Sequence, residues 1–344
     1  MAADQSKADV TRPFVARLTR PEDDPDAFAR AVEALKHGEL VAVPTETVYG
    51  LACDATNPDA VARLYAAKGR PAINPLIAHV PDFEAAAREG DLDARADRLG
   101  RAFWPGPLTL VVSRGTMCRV TPAACAGRPT LALRVPAAPL MQALARALDR
   151  PIAAPSANIS GRVSATTADD VVEDLGRAVA VVLDAGPCPI GVESTIVDVS
   201  GEPARLLRPG GLARAAIEEA LGATLADPPA SATQSPAAPG LLTSHYAPSA
   251  AVRLDADDVA AGEALLAFGP DLPDGAERAV AIVNLSPTGD LAEAAANLFQ
   301  ALRRLDRTGV STIAVAPIPP EGLGEAIRDR LVRAAAPRPS IHGD

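Results

Sequence analysis

Aromatic side chains make up only 3% of the 344 residues. A core built from this chain must therefore be aliphatic, and stacked aromatic platforms for single-stranded nucleic acid are not available. Cysteine is also sparse. Cys53, Cys118, Cys125 and Cys188 form no C-x-x-C pair and have no histidines at zinc-ligand spacing. They read as reduced small hydrophobes of a cytosolic protein, not as a metal or disulfide framework. No apolar run has the length of a membrane span, and "MAADQSKADVTRPFVARLTRPEDD" holds no signal-peptide core. A cytoplasmic chain without a membrane partner is expected. Positive charge is in deficit: the net charge is −10 and the isoelectric point is near 5.0. That balance argues against a broad surface for nucleic acid or anionic lipid, so no tight nucleic-acid binding is expected. It leaves room for a local basic pocket.

Lysine is nearly absent: Lys7, Lys36 and Lys68 stand against thirty arginines. Such a bias replaces lysine wherever only positive charge is needed. Lys68, in "YAAKGRPAINPL", is therefore either a random survivor or a position that needs a compact ammonium in place of a planar guanidinium.

What the sequence does hold is alternation. From about residue 25 to 220, aliphatic runs at 39–44, 75–80, 108–113, 130–135, 151–155, 180–185 and 194–199 read as strands. Helical segments are expected from Asn57–Pro58 to Lys68 and around 92–103, 137–148, 167–177 and 212–221. Some strands follow one another with only a loop between, so a mixed sheet fits better than a parallel one. Between 223 and 249 the periodicity stops in a Pro-, Ala- and Ser-rich linker. Its end, "PGLLTSHYAP", carries Leu241, Leu242, His245 and Tyr246 and is too apolar for a solvated spacer. Strand-like runs after it, a helix around 289–308 and another from 321 suggest a small parallel-sheet domain. The expected organisation is an N-terminal extension (1–24), a larger α/β domain (25–222), the linker or lid (223–249) and a small α/β domain (250–344).

Five loops that follow aliphatic strands are rich in short polar or cationic groups. Lys68 and Arg70 end a helix; they either cap its carbonyls or, held by Gly69, Pro71, Asn74 and Pro75, bind a polyphosphate. "VPTETVYGLACD" sets Thr45, Glu46 and Thr47 after a strand, where an ordinary helix cap is the alternative. "AAPSANISGRVSATT" offers Ser156, Asn158, Ser160 and Ser164, either an anion-binding nest or a turn. "GVESTIVDVSGEPARLLRPGG" adds Glu193, Ser194 and Arg208, either a phosphate site before a helix or, as fits better when it is taken singly, a hairpin followed by a turn. His79 ends one strand as an ordinary hydrogen-bonded terminus would. Arg134 sits late in a buried strand and needs a partner or ligand. Strand ends of α/β sheets are where ligands bind, so polyphosphate plus a small polar co-substrate is the joint reading.

Together, "PTETVYGL", "KGRPAINPL", "TLALRVP", "APSANISG", "ESTIVD" and "LRPGG" resemble the threonylcarbamoyl-AMP synthase family, whose core is the YrdC-like domain. "PGLLTSHYAP" and the small domain after it resemble the two-domain form of that family, with Ala238 where serine is expected. The resemblance implies a YrdC-like twisted mixed sheet with helices, then a small Rossmann-like domain. It implies an ATP-dependent nucleotidyltransferase joining L-threonine, bicarbonate and ATP into L-threonylcarbamoyl-AMP, with release of pyrophosphate. A transferase complex would then modify adenosine 37 of tRNA. Thr47, His79, Arg134, Ala154 and Ser194 would surround threonine. Lys68, Arg70, Asn74, Thr130, Ser156, Asn158, Ser164 and Arg208 would hold ATP, with Lys68 and Arg70 catalytic. Tyr246 would close over the nucleotide, and Mg2+ would be bound through phosphates, not side chains. Two other readings are an RNA-binding module acting in translation and a carbamoyl transferase with a YrdC-like domain. Net acidity counts against the first, and the lack of acylphosphatase or zinc-finger modules against the second.

Overall fold

The computed structural model describes residues 13–228, 238–239 and 244–337. Short strands cannot satisfy their own backbone groups, and here they do so in two sheets. The chain begins with β1 (Phe14–Arg17), α1 (Pro25–Lys36), β2 (Val41–Pro44), β3 (Tyr49–Asp54) and α2 (Pro58–Lys68). It continues through β4 (Ile77–His79), α3 (Phe83–Glu89), β5 (Gly90–Asp91), α4 (Ala94–Phe103), β6 (Leu108–Arg114) and β7 (Thr130–Arg134). Then come α5 (Pro139–Leu148), β8 (Ile152–Ala153), α6 (Ala168–Leu175), β9 (Val181–Asp184), β10 (Thr195–Asp198), β11 (Arg205–Arg208) and α7 (Arg214–Leu221). These strands form one mixed sheet in the order β1-β9-β2-β3-β8-β4-β7-β6-β10-β11, with β5 on β6.

The second sheet is small and wholly parallel. It is built from β12 (Ala251–Arg253), β13 (Ala264–Ala267), β14 (Ile282–Asn284) and β15 (Thr312–Val315), in the order β12-β15-β13-β14. Helices α8 (Leu291–Asp306) and α9 (Leu323–Ala335) accompany it. The expected mixed sheet and small parallel sheet are both present. Only the β14–α8–β15 step has a helical crossover; β12–β13 and β13–β14 are joined without an α-helix among the described residues.

Local signals set several helix ends. Asn57 caps α2 by accepting from the backbone N–H groups of Asp59 (3.0 Å) and Ala60 (3.3 Å). Gly69 stops it in the left-handed region at φ 58°. Three elements depart from the sequence pattern. The stretch expected to be an N-terminal extension contributes β1, which pairs with β9 from Phe14↔Val181 to Arg17↔Asp184, a partner far along the chain. Helix α1 follows it, capped by Asp24. The hydroxyl-rich loop after β2 is a hairpin turn leading into β3: Thr45 Oγ1 donates to the Val48 carbonyl at 2.6 Å.

The core is aliphatic, as the composition requires. Leu40, Leu51, Leu64, Leu110 and Leu133 pack in one buried cluster of the large sheet. Leu298, Phe299, Leu302, Ile313 and Ile327 belong to the cluster of the small domain. No described helix is long and apolar enough to cross a membrane. Leu241 and Leu242 of the linker lie outside the described residues; Ala238, His245 and Tyr246 are described and buried.

Helix α8 docks on the large domain. Arg303 Nη2 donates to the Val163 carbonyl (2.8 Å) and to Asp174 Oδ2 (2.7 Å). Gly191, at φ +77°, makes the approach close: a Cβ there would stand 2.4 Å from the Ala295 oxygen and from the Ala296 Cα. Gly191→Ala should therefore cost about 2–3 kcal/mol, from overpacking and left-handed strain. Chemical denaturation should show this loss as a lower midpoint, and an unchanged midpoint would contradict the packing.

Candidate active site

The parallel pairing of β4 and β7 places His79 beside Arg134 in register, at the carboxyl ends of two buried strands. Arg134 is almost fully buried. Its guanidinium donates to Thr47 Oγ1 (3.0 and 3.1 Å) and to the Gly106 carbonyl (3.2 Å). Nη2 also lies 2.7 Å from Glu46 Oε1, yet its N–H bonds aim at Thr47, so neither Glu46 oxygen has an aligned hydrogen bond. His79 is buried with no partner for Nδ1. Burial, and then the neighbouring Arg134, push its pKa down to about 3, so the ring is neutral.

Arg134, His79 and Thr47 are neighbours in the wall of a cavity that also includes Ala154, Ser156, Ser194, Arg70, Arg208 and Tyr246. Nine of the expected site residues thus meet in one place. Arg70 donates from Nε to the Asn74 carbonyl (3.0 Å) and from Nη2 to the Pro75 carbonyl (2.9 Å). Burial lowers its pKa to about 10, still cationic at neutral pH. Arg208 donates from Nη2 to the Ser194 carbonyl at 2.9 Å. Ser194 Oγ shares a 2.8 Å hydrogen bond with Thr109 Oγ1.

The other expected residues are not in the wall. Lys68 is buried, and its ammonium donates to the carbonyls of Ser156 and Asn158. It ties the end of α2 to the loop after β8, and burial holds its pKa well below the ordinary lysine value. Asn74 is fully buried with both amide atoms unpartnered. Asn158 donates to the carbonyls of Ile159 (2.8 Å) and Arg162 (2.9 Å), leaving Oδ1 without a donor. Ser164 donates to Glu193 Oε1 at 2.7 Å. Thr130 opens β7, at the strand end opposite to Arg134.

Sequence reasoning noted Glu193 and His245 without placing them in the site, and it missed Arg330. Glu193 lines the cavity, His245 joins Tyr246 in covering it, and Arg330 reaches Glu193 from α9 (Nε to Oε2, 2.7 Å). Nothing in "RDRLVR" singles Arg330 out from Arg328 and Arg333. Tyr246 holds φ +60°, a strained value for a bulky residue, while its ring stacks on Phe299 at 5.5 Å. The space left is about 40 Å³, more than the ~10–15 Å³ that a buried water needs on this measure. No set of three or more His, Cys, Asp or Glu among the described residues could cage a metal. Burial pushes the thiols of Cys125 and Cys188 up to about 11 and about 12, which leaves them protonated and poor nucleophiles.

Comparison with known proteins gives this geometry a context. A family model described as Telomere recombination, covering Sua5, YciO and YrdC, matches residues 33–210. One described as Threonylcarbamoyl-AMP synthase, C-terminal domain, matches 212–336. Threonylcarbamoyl-AMP synthase of Pyrococcus abyssi is 40% identical over 324 residues, 88% of this chain and 92% of that protein. The Bacillus subtilis protein of the same name is 38% identical over 332 residues, 92% of this chain and 94% of that one. The crystal structure of P. abyssi Sua5 complexed with L-threonine superposes with a TM-score of 0.84 at 37% identity, covering 94% of this chain and 98% of that one.

Glu193 yields a pH prediction. Burial alone would raise its pKa, but Arg330 and Arg208, with the Ser164 hydrogen bond, bring it from 4.5 down to about 2. A depressed carboxylate stabilises the fold above its unfolded pKa and loses that contribution as pH falls through the folded value. About 3 kcal/mol should therefore disappear between pH ~4.5 and ~2. Urea unfolding of Glu193→Gln should lack this slope and start lower at pH 7; a wild-type slope in the variant would contradict the assignment.

Proposed function

The chain belongs to the threonylcarbamoyl-AMP synthase family, and from that premise we propose that it joins L-threonine, bicarbonate and ATP into L-threonylcarbamoyl-AMP, releasing pyrophosphate. The observation that supports this most is the buried cavity where Arg134 and Thr47 share a wall with Arg70 and Arg208. One end suits an amino-acid carboxylate, the other a polyphosphate. The enzyme is then a nucleotidyltransferase. Its product would pass to a tRNA-modifying transferase complex in the cytoplasm.

Arg134 would grip the threonine carboxylate, replacing its bonds to Thr47 Oγ1, with His79, Ala154 and Ser194 enclosing the side chain. Arg70, Arg208 and Ser156 would receive the phosphates. Lys68, Asn74, Thr130, Asn158 and Ser164 would complete the ATP site. The unpartnered amides of Asn74 and the free Asn158 Oδ1 support a ligand there, since buried polar atoms otherwise find partners.

The threonine ammonium first loses a proton. Its amine then attacks the bicarbonate carbon, and loss of water leaves a carbamate. A carbamate oxygen attacks the α-phosphorus, and the bond from that phosphorus to the oxygen bridging the β-phosphate breaks. Both reactants are anions, so cations set at fixed positions lower the barrier by meeting charge as pyrophosphate departs. No side-chain nucleophile is needed. The cavity carboxylate, Glu193, is paired with Arg330, so the residues present offer no cage for Mg2+. The ion is proposed to arrive with ATP, bound to its phosphates.

Tyr246 and His245 cover the cavity, so Tyr246 would swing outward for substrate to enter and return to exclude water. The RNA-binding reading is disfavoured because Lys68, Arg70, Arg134 and Arg208 are buried, not spread over an open surface. No observation favours the carbamoyl transferase.

Mass spectrometry of a reaction with threonine, bicarbonate and Mg-ATP should detect threonylcarbamoyl-AMP, and its absence under saturating substrates would overturn the proposal. Arg70→Ala and Lys68→Ala should each lower pyrophosphate release by about 10²–10³-fold, the range for loss of a preorganised electrostatic contact. Wild-type rates in both would remove the phosphate role of that loop. Arg134→Ala should raise KM for threonine much more than KM for ATP, and equal rises would misplace the threonine end.

A further inference from the structure

No cavity-lining residue among those described comes from 250–337; the small domain reaches the site from behind. We propose that Arg330, carried on α9, is a positioning residue for nucleotide binding: it neutralises Glu193 and so leaves Arg208 available to the polyphosphate. This rests on the function proposed above and names a task for the small domain within it.

Arg330 is completely buried although its charge would favour water. Its Nε donates to Glu193 Oε2 at 2.7 Å and Nη1 to Asp329 Oδ2 at 2.6 Å, while Nη2 has no acceptor. The guanidinium also lies 5.1 Å from the centre of the Tyr246 ring. A buried ion pair that leaves one nitrogen unsatisfied is a poor stabiliser compared with apolar packing, so stability alone does not account for the residue.

Glu193 explains it. Ser164 occupies Oε1 at 2.7 Å and Arg330 occupies Oε2, so both oxygens of this cavity carboxylate are engaged. The next residue, Ser194, holds Arg208 through its carbonyl at 2.9 Å. If Arg330 were neutral, an uncompensated anion would face the incoming polyphosphate. In a medium of low dielectric it would also attract Arg208, the nearest cavity cation in sequence, away from the phosphates. The same guanidinium contacts Tyr246, so the charge correction is made by the element against which the lid residue packs.

The test is calorimetric titration of the full-length chain with an ATP analogue bearing a methylene group between the α- and β-phosphates, and separately with L-threonine. Arg330→Met should weaken analogue binding by at least about tenfold and change threonine binding less than about twofold. Arg330→Met combined with Glu193→Gln should recover analogue binding to within about threefold of wild type, which loss of packing alone would not allow. Arg330→Lys, which keeps the charge, should lose less than the Met variant. The last two variants bury no unbalanced carboxylate, so the test stands even if Arg330→Met fails to fold. A double variant about tenfold weaker than wild type, or equal losses for both ligands in Arg330→Met, would overturn the inference. A wild-type chain that binds neither ligand would overturn the function it rests on.

Discussion

Arg70, Arg134 and Arg208 in the wall of one small cavity, and Lys68 outside that wall, are withdrawn from water, and something else must solvate them. Backbone carbonyls do most of it: Ser156 and Asn158 for Lys68, Asn74 and Pro75 for Arg70, Gly106 for Arg134, Ser194 for Arg208. Carbonyls can do this only where strands end and the ladder no longer uses their oxygens. The site is consequently a product of the sheet, and its cations are fixed before any ligand arrives. That preorganisation removes reorganisation cost when anions react.

The same arrangement explains why the carboxylates matter. Glu46 beside Arg134 and Glu193 beside Arg330 reduce the positive charge gathered in one place. Without them, buried like charges would push one another toward deprotonation or outward to solvent. Too strong a correction would cancel the attraction for substrate. Both acids are therefore matched to a specific arginine.

Burial also links Tyr246 to the second domain. Tyr246 carries backbone strain, stacks on Phe299 and lies against Arg330, so its position over the cavity is held by residues of α8 and α9. Gly191 permits α8 to approach the large domain closely enough for this. Tyr246, domain contact and cavity charge form one packed unit.

Much of this was legible in the chain. The Asn57–Pro58 cap and Gly69 marked α2, the aliphatic runs marked most strands, and a nearly lysine-free composition drew attention to Lys68. Strand-end loops have a local signature, an apolar run and then short polar groups, which pointed to most of the nine expected residues that share the cavity; Ala154 and the role of each came from the family resemblance. What local pattern could not supply is pairing across long separations. Strand β1 is only four residues long and exists by virtue of β9, and β3 hides in a hydroxyl-rich segment until the hairpin with β2 is made. Arg330 looks like any arginine on an amphipathic helix. Its role appears only when α9 sets it against Glu193, some 137 residues earlier. The sequence alone determined which side chains are present and where most helices and many strands begin, because caps, turns and apolar period act over a few residues. The tertiary structure alone decided which charges meet and which are buried, because electrostatic energy depends on distance and surroundings that no local window contains.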